Sequence, residues 1–476
     1  MIDLGNEMKS TVIAFGLWLG IISGFTTLFI SCATTAPPQS GAWSEVTTIL
    51  ARIKAPQFPD REFNVVTFGA KGDGVTDCSA AFVQAIEACA KSGGGKVLVP
   101  KGEFLSGPIV LLSDVNLHLA EGAVIKFHRD PRKYLPLVFT RWEGVECMNY
   151  SPLIYAFEQT NIAITGSGTL DGQANNEFWW PWNGKKEYGW NEGMPKQKPG
   201  RDKLLEFGQN GTPVDQRRLG EGFYLRPNFI QPYRCKNVLI EGVTIVNSPM
   251  WEVHPVLCEN VTIQNLHIDT HGPNNDGVDP ESCKDVLIKN CYFNTGDDCI
   301  AIKSGRNNDG RRVNVPSENI VIQGCTFKDG HGGVTIGSEI SGGARNVFAE
   351  NCEVESPILY NALRLKTNAV RGGVIENVHV RNFTVKLVGR AVVDIDLFYE
   401  EGKNGNFLPT IRNINVENMT IEKCKVAFNL VGYAEAPIQN VTLKDCTFME
   451  VTNGYKVEHV EGFQSINTTI NGKALK

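Results

Sequence analysis

The sequence predicts an all-β fold in which short parallel strands stack into a β-helix. Three observations lead to this prediction. A phrase of Asn followed by alternating apolar residues returns at intervals of roughly 25–35 residues. Each copy holds two short strands separated by a polar break. The 476 residues include 48 glycines, with 9% aromatic residues, and this composition favours many short strands and turns over a helical bundle.

The repeated phrase starts from one marked position, which is an asparagine in every copy but one. The marked residues are Asn161, Asn237, Asn260, Asp285, Asn319, Asn346, Asn377, Asn413 and Asn440. A single coil cannot bury its inward face, whereas coils stacked at ~4.8 Å share a continuous core. We therefore expect a ladder of asparagines along the axis, with their amides hydrogen-bonded from coil to coil.

A column of inward-pointing residues is expected six positions after each mark. It contains Val243, Leu266, Cys291, Cys325, Cys352, Phe383, Met419 and Cys446. The chain has 13 cysteines, and those in this column are interpreted as small buried core residues. Cys235, Cys258 and Cys283 form a second column, in which a disulfide stays open as an alternative.

The N-terminal segment has the pattern of an export signal. Lys9 precedes an apolar run over residues 11–30, and Cys32 follows a small residue, as in a bacterial lipoprotein signal. A simple secretory peptide and a signal anchor are the alternatives. We therefore predict a signal over 1–32, a linker over 33–60 and one β-helix domain over 61–476. The protein would be exported to the periplasm, outer membrane or cell surface, with membrane contact only through a lipid on Cys32.

Two segments interrupt or precede the repeat. The apolar spacing after Asp77 predicts a helix over 77–91, ended by glycines, that caps the open end of the stack. Between residues 172 and 232 an insertion carries Trp179, Trp180, Trp182 and Trp190. A long segment outside the repeat usually has a task in binding or catalysis.

The net charge of −6 argues against a polyanionic partner such as nucleic acid. For an acidic substrate, the binding site itself would have to supply positive charge. This requirement serves as a test of the candidate residues that follow.

Acidic residues end two successive copies of the repeat. Asn274 and Asp276 close one coil, and Asp297 and Asp298 stand 21 and 22 residues after Asp276. Because stacked coils place equivalent positions side by side, we expect the three aspartates on neighbouring rungs. Gly296 would permit the bend by which Asp297 and Asp298 both face the same groove.

Paired carboxyl groups are the machinery of glycoside hydrolysis. One protonated carboxyl protonates the leaving oxygen and another activates water, at a separation of ~6.5–9.5 Å in an inverting enzyme. Adjacent rungs with a diagonal offset would give about this separation. Repulsion between the charges of Asp297 and Asp298 favours a proton on one of them. The carboxyl groups therefore predict a glycosidase site.

Basic residues follow in the next coils. Arg364 and Lys366 are two positions apart and so share one face of a strand. Such a pair suits a sugar carboxylate, since Arg donates two hydrogen bonds and Lys adds a point charge. Lys303 and Arg306 could extend this patch. His331, between two glycines, is placed to hydrogen-bond an aspartate.

Each of these motifs also has a purely structural explanation. Asp276 and Asp279 lie in Asp-containing turns, and an Asp-Asp pair often binds calcium or faces water. We expect Asp279 to be structural. A site is favoured because four such motifs occur in successive coils.

In this order, the motifs resemble those of the polygalacturonases, family 28 of the glycoside hydrolases. The family pattern is Asn-Thr-Asp, Gly-Asp-Asp, Gly-His-Gly and Arg-Ile-Lys. Here it stands as Asn274-Asn275-Asp276, Gly296-Asp297-Asp298, Gly330-His331-Gly332 and Arg364-Leu365-Lys366. The departures at Asn275 and Leu365 do not carry the chemistry.

The resemblance implies a pectin-lyase-like, single-stranded, right-handed parallel β-helix and an inverting hydrolase without a metal or other cofactor. Asp297 would be the proton donor. Asp276 and Asp298 would hold the nucleophilic water, and His331 would support them.

The substrate implied is a pectic polysaccharide or oligogalacturonide with α-1,4-galacturonosyl linkages. Arg364 and Lys366 would bind a galacturonate carboxylate at the cleavage site, and Lys303 and Asn274 are further candidates for substrate contact. Residues 68–74 and 247–251 are most similar to bacterial exo-acting members, and the insertion could wall off one end of the groove. The alternatives are a hydrolase of rhamnogalacturonan or xylogalacturonan, a calcium-dependent pectate lyase, and a non-enzymatic glycan-binding β-helix.

Overall fold

The structure is a computed structural model that describes residues 41–356 and 358–475. The predicted signal with Cys32 lies outside the described residues. Helices in the described part of the chain are α1 (Ser44–Arg52), α2 (Ser79–Lys91), α3 (Lys198–Asn210), α4 (Asn307–Val313) and the short 3₁₀ turns Gly41–Trp43, Val65–Phe68, Pro131–Tyr134, Trp180–Asn183, Lys186–Tyr188 and Val214–Gln216. No helix among the described residues has the length and apolarity to cross a membrane.

One parallel sheet contributes a strand to nearly every coil and runs along the whole stack. Val238, Val261 and Val286 pair directly in register and are buried, because residues at this position point into the core. The strands are Glu62–Asn64, Gly95–Val99, Val115–Leu119, Thr160–Gly166, Lys236–Glu241, Glu259–Gln264, Lys284–Lys289, Ser317–Gln323, Ala344–Glu350, Val374–Arg381, Thr410–Glu417, Ile438–Lys444, Val460–Glu461 and Gln464–Ile466.

A second parallel ladder follows the first around each coil. Its strands are Asp73–Asp77, Gly102–Ser106, Ala123–Phe127, Thr169–Asp171, Thr244–Val246, His267–Thr270, Tyr292–Thr295, Thr326–Asp329, Glu353–Val354, Thr447–Val451, Thr469–Ile470 and the antiparallel Lys473–Ala474. Thr384–Asp396 and Thr420–Val431 pair with this ladder in their first half and with a third ladder in their second half.

The third ladder, called the cleft sheet below, carries the predicted site. Its strands are Ile109–Val110, Ile154–Phe157, Ile230–Tyr233, Ile300–Ile302, Gly332–Ile336, Asn361–Lys366, the second halves of the two long strands, and Lys456–Glu458. Single bridges at Val253, Val256, Val278 and Glu281 connect the intervening coils. An antiparallel hairpin, Val138–Trp142 with Val145–Asn149, stands outside the stack. The prediction of a right-handed parallel β-helix is confirmed.

The predicted asparagine ladder is present. The Nδ2 of Asn237 donates to Asn161 at 2.8 Å, and the Nδ2 of Asn260 donates to Asn237 at 2.7 Å. The ladder continues from Asn319 through the later marks. Each marked residue has a left-handed backbone with φ near +55°, for example Asn237 at 55°. Asparagine tolerates this conformation better than other non-glycine residues, so it serves both as the turn and as the link between coils.

Helix α1 corrects the prediction of a linker over 33–60. Trp43, Val46 and Ile49 are buried against Val321 and Phe348 on the outer face of the first sheet. Residues 41–476 form one compact unit, so the hydrolase domain begins before residue 61. The apolar spacing of α1 was not recognised because the Pro- and Thr-rich stretch before it dominates the composition.

The contact of α1 with the stack falls where the ladder is interrupted. Asp285 has no amide and cannot donate to Asn260, so the chain of side-chain hydrogen bonds stops there. Arg52 binds Asp285 with two hydrogen bonds, of 3.1 and 2.7 Å. The backbone of Lys54 donates to Asn260 and accepts from it, each at 2.9 Å. The segment after α1 thus replaces the missing amide contact.

The predicted capping helix is confirmed as α2. It starts at Ser79, whose backbone N–H donates to the Asp77 carboxylate at 3.0 Å. Phe82, Ile86 and Cys89 are buried and belong to the main core at the end of the stack. Because α2 covers the first coils, their apolar ends are shielded from water.

The cysteines of both predicted columns are buried thiols. The Cys258 thiol donates to the Pro232 carbonyl at 3.3 Å, and the Cys283 thiol donates to Pro255 at 3.2 Å. All twelve cysteines of the described residues are unbridged, so the disulfide alternative for the second column is wrong there.

We expect Asn346→Ala to destabilise the fold. The change removes the hydrogen bonds of 3.1 Å to Asn319 and from Asn377, and it puts alanine, which tolerates the left-handed region less well than asparagine, at a φ of 55°. The loss should be about 2 kcal/mol, measured as a lower midpoint of thermal or urea unfolding. Asn346→Gly also loses the hydrogen bonds but adopts the left-handed backbone without strain. The difference between the two variants therefore measures the contribution of the backbone conformation. Equal midpoints for wild type and Asn346→Ala would contradict the role of the ladder.

Candidate active site

The four predicted motifs come together at the start of consecutive rungs of the cleft sheet. The backbone N–H of Asp297 donates to the Asn275 carbonyl at 3.2 Å, and the N–H of Gly277 donates to Asp298 at 3.0 Å. The N–H of His331 donates to the carbonyl of Asp297 at 2.9 Å. These bonds stack the coils directly, which confirms that the motifs are spatial neighbours.

The three aspartates form one cluster, with one oxygen from each within 4.8 Å of the others. Asp276 and Asp298 are buried and Asp297 is half-buried. The 4.8 Å limit refers to the nearest oxygens, whereas the ~6.5–9.5 Å expected of an inverting pair is measured between whole carboxyl groups, and that separation stays a prediction.

Glycine at 296 is required for close approach of the coils. A Cβ at this position would lie 2.4 Å from the carbonyl oxygen of Gly272 in the neighbouring coil. The turn after Thr295 then directs Asp297 and Asp298 into the same cleft, and the N–H of Asp298 donates to the Asp297 carboxylate at 3.0 Å. The expectation that both aspartates reach the groove is correct.

Three cations face the three carboxylates. Lys303 Nζ lies 3.2 Å from Asp276 Oδ2. Lys366 Nζ lies 2.7 Å from Asp298 Oδ2, and Arg364 Nη1 lies 3.8 Å from Asp298 Oδ1. The local charge is therefore close to balanced, although the whole chain is acidic. The requirement for positive charge in the site is met by these side chains.

The protonation of the aspartates is set by unequal surroundings. Burial raises the pKa of Asp276 to about 8, although Lys303 acts in the opposite direction. Burial also acts to raise the pKa of Asp297, but the hydrogen bond from His331 and the nearby lysines outweigh it, and this pKa falls below its ordinary value. The lowered pKa of Asp297 disfavours a proton on this residue, and the predicted proton on the other member of the pair stays a prediction.

His331 carries the proton that Asp297 lacks. Its Nδ1 lies 2.8 Å from Asp297 Oδ1, and its ring stacks on Tyr360 with centroids 4.7 Å apart. Burial acts to lower the pKa of His331, but the bond to Asp297 outweighs it, so the pKa is raised. His331 and Asp297 therefore hold one proton between them over a wide pH range.

Lys303 and Asn274, predicted to contact substrate, line the pocket but already have protein partners. Lys303 lies over the Trp251 ring, 4.2 Å from its centroid, and pairs with Glu339 at 3.5 Å in addition to Asp276. Asn274 accepts a hydrogen bond of 2.7 Å from Arg226. Contact of either residue with a substrate stays a prediction.

Asp276 and Asp297 line a polar pocket of about 110 Å³. Sequence reasoning missed several of its lining residues: Glu143, Arg201, Trp251, Ser338, Glu339, Tyr399 and Glu400. Glu143 and Arg201 come from the hairpin and from α3, outside the repeat, so no periodic signal marks them. Tyr399 lies 5.2 Å from Lys366 and 5.6 Å from Arg364, measured to the ring centroid, beside the predicted carboxylate-binding pair.

A network of ion pairs closes one end of this pocket. Arg201 donates to Glu143 at 2.5 Å, and Arg306 lies 3.4 Å from the same carboxylate. Arg306 also reaches Glu339 at 3.2 Å and Glu400 at 3.3 Å. Arg306 is therefore part of the wall and, with its buried side chain, is not available to extend the carboxylate-binding patch as expected.

The hairpin that supplies Glu143 is anchored by buried charges. Arg141 pairs with Glu281 at 3.2 Å, Arg312 with Glu146 at 2.5 Å, and Asp309 with Arg217 at 2.6 Å, the last from the insertion. Removal of one partner of such a pair leaves a buried charge without compensation. The hairpin is therefore held by ion pairs to the coils that carry Asp276 and Asp297.

The insertion contributes to the wall through α3 rather than through its tryptophans. Trp179 packs edge-on against Trp182, with centroids 5.1 Å apart. Trp180 donates to the Ser248 carbonyl at 2.9 Å and fills the space that a Cβ on Gly272 would occupy. These rings support the coil beneath the site, whereas Arg201 of α3 reaches the pocket.

The aspartate cluster also has a spacing that could hold a metal ion. Calcium prefers 6–8 oxygen ligands at ~2.3–2.6 Å. Here Lys303 and Lys366 already occupy positions beside the carboxylate oxygens, so a divalent cation would meet two ammonium groups. The donor set does not fit a bound metal.

Comparison with known proteins agrees with the resemblance to family 28 of the glycoside hydrolases. A family profile described as Glycosyl hydrolases family 28 matches residues 221–469, and one described as Rhamnogalacturonase A/epimerase, pectate lyase-like matches residues 62–120. The chain is 27% identical to an exo-poly-alpha-D-galacturonosidase of Dickeya chrysanthemi, over 85% of this chain and 69% of that one. It is 28% identical to an endo-polygalacturonase of Pectobacterium carotovorum subsp. carotovorum, over 72% and 76%.

One solved structure shares a higher sequence identity with this chain than these two relatives do. The crystal structure of a hyperthermoactive exopolygalacturonase from Thermotoga maritima matches with a TM-score of 0.88 and 47% identity. The match covers 91% of this chain and 97% of that one.

The His331–Asp297 pair gives a prediction that needs no substrate. In Asp297→Asn the carboxylate partner is lost while burial remains, so the pKa of His331 should fall by about one unit or more. NMR titration of the histidine ring protons measures it. The pKa of His118, which burial in another coil lowers, should be the same in both proteins. An unchanged pKa of His331 would show that Asp297 does not hold its proton.

Proposed function

This chain belongs to the glycosyl hydrolases family 28, and from that premise we propose that it is an exo-acting polygalacturonase. It would hydrolyse α-1,4-galacturonosyl linkages of pectic chains with inversion at the anomeric carbon. The observation that carries the proposal is the cluster of three aspartates and three cations at the floor of a pocket closed at one end. Similarity to the exopolygalacturonase of Thermotoga maritima supports it.

The roles follow from the charges around each aspartate. Asp297 would protonate the leaving oxygen, supported by His331, because this pair holds one proton. A galacturonate carboxylate bound by Arg364 and Lys366 would neutralise part of the positive charge that keeps Asp297 ionised. Binding of substrate would therefore raise the pKa of Asp297 and move the shared proton toward the acid.

Asp276 and Asp298 would hold the attacking water. Each is engaged by an ammonium group, at 3.2 Å for Asp276 and 2.7 Å for Asp298. The ion pair of Asp298 suits it to deprotonate the water, whereas Asp276, whose pKa burial raises to about 8, would orient the water by hydrogen bonding. These two of the three carboxyl groups would share one water. Inversion is the expected outcome.

Exo action is supported by the position of the end wall. Glu143, Arg201 and Arg306 close one side of the pocket, where Arg306 also pairs with Glu339 and Glu400. The cleft sheet continues on the other side of the aspartates, from Asn361–Lys366 to Lys456–Glu458. A pectic chain could therefore enter with one end only and extend over the C-terminal coils.

A location outside the cytoplasm is part of the proposal. It rests on the N-terminal sequence pattern, with Cys32 as the residue that would carry a lipid. Analysis of the mature N-terminus by mass spectrometry tests it, since processing at Cys32 adds a defined mass and an unprocessed Met1 excludes it.

Analysis of the products from polygalacturonate tests the proposed function. Monomeric galacturonate from the first minutes supports exo action, and NMR of the first-formed anomer identifies inversion. A ladder of oligomers would contradict the closed pocket. Release from rhamnogalacturonan or xylogalacturonan alone would assign the related hydrolase activity, and binding without turnover would favour a glycan-binding protein.

We expect Asp297→Asn to reduce kcat by about 10²–10⁴-fold, since a positioned general acid contributes this much. Substrate binding should persist, because Arg364 and Lys366 are intact, and isothermal titration with an oligogalacturonide measures it. Asp60→Asn, at an exposed position, is the matched control and should turn over like wild type. Unchanged kcat in Asp297→Asn would contradict the assigned mechanism.

Removal of divalent cations should leave the rate unchanged. The positive charge that the carboxyl groups need is supplied by Lys303, Arg364 and Lys366. The measurement compares release of reducing ends with and without a chelator. Loss of activity restored by calcium, together with an unsaturated product, would assign a lyase instead.

A further inference from the structure

The cleft sheet continues beyond Arg364 and Lys366 for three rungs that the proposed mechanism does not use. The residues in register with this pair are Asp394 and Asp396 on the first of these rungs. They are followed by Asn429 and Val431 on the second rung and by Lys456 and Glu458 on the third. Each rung adds ~4.8 Å, which is about the length of one sugar residue. A chain that leaves the closed pocket therefore passes over these side chains.

An open pocket of about 370 Å³ lies over these rungs, between Asp396, Phe398, Asn429 and Lys456. Phe398 is 43% exposed and is held edge-on against Tyr433, with centroids 4.8 Å apart. An exposed aromatic ring in a cleft offers a platform for the apolar face of a sugar. The pocket thus combines an aromatic platform with polar groups, which suits a carbohydrate ligand.

The charge of this pocket is opposite to that around the neighbouring Arg364 and Lys366. Asp396 accepts a hydrogen bond of 2.8 Å from the backbone of Phe398 and forms no ion pair with the described residues. Lys456 is neutralised by Glu458, at 2.7 Å. Lys403, 6.0 Å from the centroid of the Phe398 ring, is paired with Glu435 at 3.0 Å. An additional carboxylate placed here would therefore meet the negative charge of Asp396, while both nearby lysines are already paired.

We propose that this pocket binds the third sugar of the pectic chain and that Asp396 selects a residue with an uncharged carboxyl group, such as a methyl-esterified galacturonate. The inference rests on the proposed function. The first sugar occupies the closed pocket, the second places its carboxylate against Arg364 and Lys366, and the third lies on the next rung. There Phe398 contacts the ring and the ester methyl group, while Asp396 repels a free carboxylate.

The test compares two trisaccharides, trigalacturonate and trigalacturonate with a methyl ester on the third residue only. Digalacturonate, which lacks the third residue, is the reference for each protein. We expect wild type to show a three- to tenfold higher kcat/KM for the esterified trisaccharide, and added salt should reduce the ratio because the repulsion is screened. In Asp396→Asn, which retains an acceptor for the Phe398 N–H, the ratio should fall to about one.

Glu450→Gln is the matched control. Glu450 is exposed on another face, paired with Lys423 at 3.2 Å, and its change should leave the wild-type preference intact. Equal kcat/KM for the two trisaccharides in wild type would overturn the proposal, as would a preference that survives in Asp396→Asn. Failure of the proposed function gives a different result, since digalacturonate would then not be hydrolysed by wild type.

Discussion

Parallel pairing of successive coils at one fixed spacing is the constraint on which the rest of this molecule depends. It sets neighbouring residues of the site only one rung apart even when the chain between them is long. The catalytic candidates Asp276 and Asp298 are brought together in this way, with direct backbone hydrogen bonds between their coils. The same pairing makes the asparagine ladder continuous and fills the core with columns of Val, Ile and Cys.

Within this stack, the carboxylates and cations of the site balance each other's charge over short distances. Three carboxylates in one cluster would repel each other strongly in a buried place. Lys303 compensates this repulsion at Asp276. Arg364 and Lys366, which share one strand, compensate it at Asp298. The compensation is uneven, and the difference between Asp276 and Asp297 arises from it. One further rung along, the balance changes sign at Asp394 and Asp396.

The parts of the structure that could be predicted from the sequence are those that obey the repeat. The asparagine ladder, the inward columns, the capping helix and the grouping of Asp276, Asp297, Asp298 and His331 all follow from periodicity. The end wall does not, because Glu143 and Arg201 lie in a hairpin and an insertion with no period. The separation of the carboxyl groups depends on the backbone register between rungs, which residue types do not encode, so it stays a prediction. Helix α1 was missed because its burial depends on Val321 and Phe348, far along the chain.

Helix α1 has a consequence for how the chain acquires its final form. Arg52 and Asp285 are 233 positions apart, and the apolar surface that receives the helix includes Phe348. The docking surface therefore does not exist until the coils up to Phe348 have formed. Contacts of such long sequence separation carry a large cost in loop-closure entropy. We therefore expect residues 44–52 to stay exposed until these coils have formed. Once it docks, the amphipathic helix contacts several coils at the same time and stabilises them together.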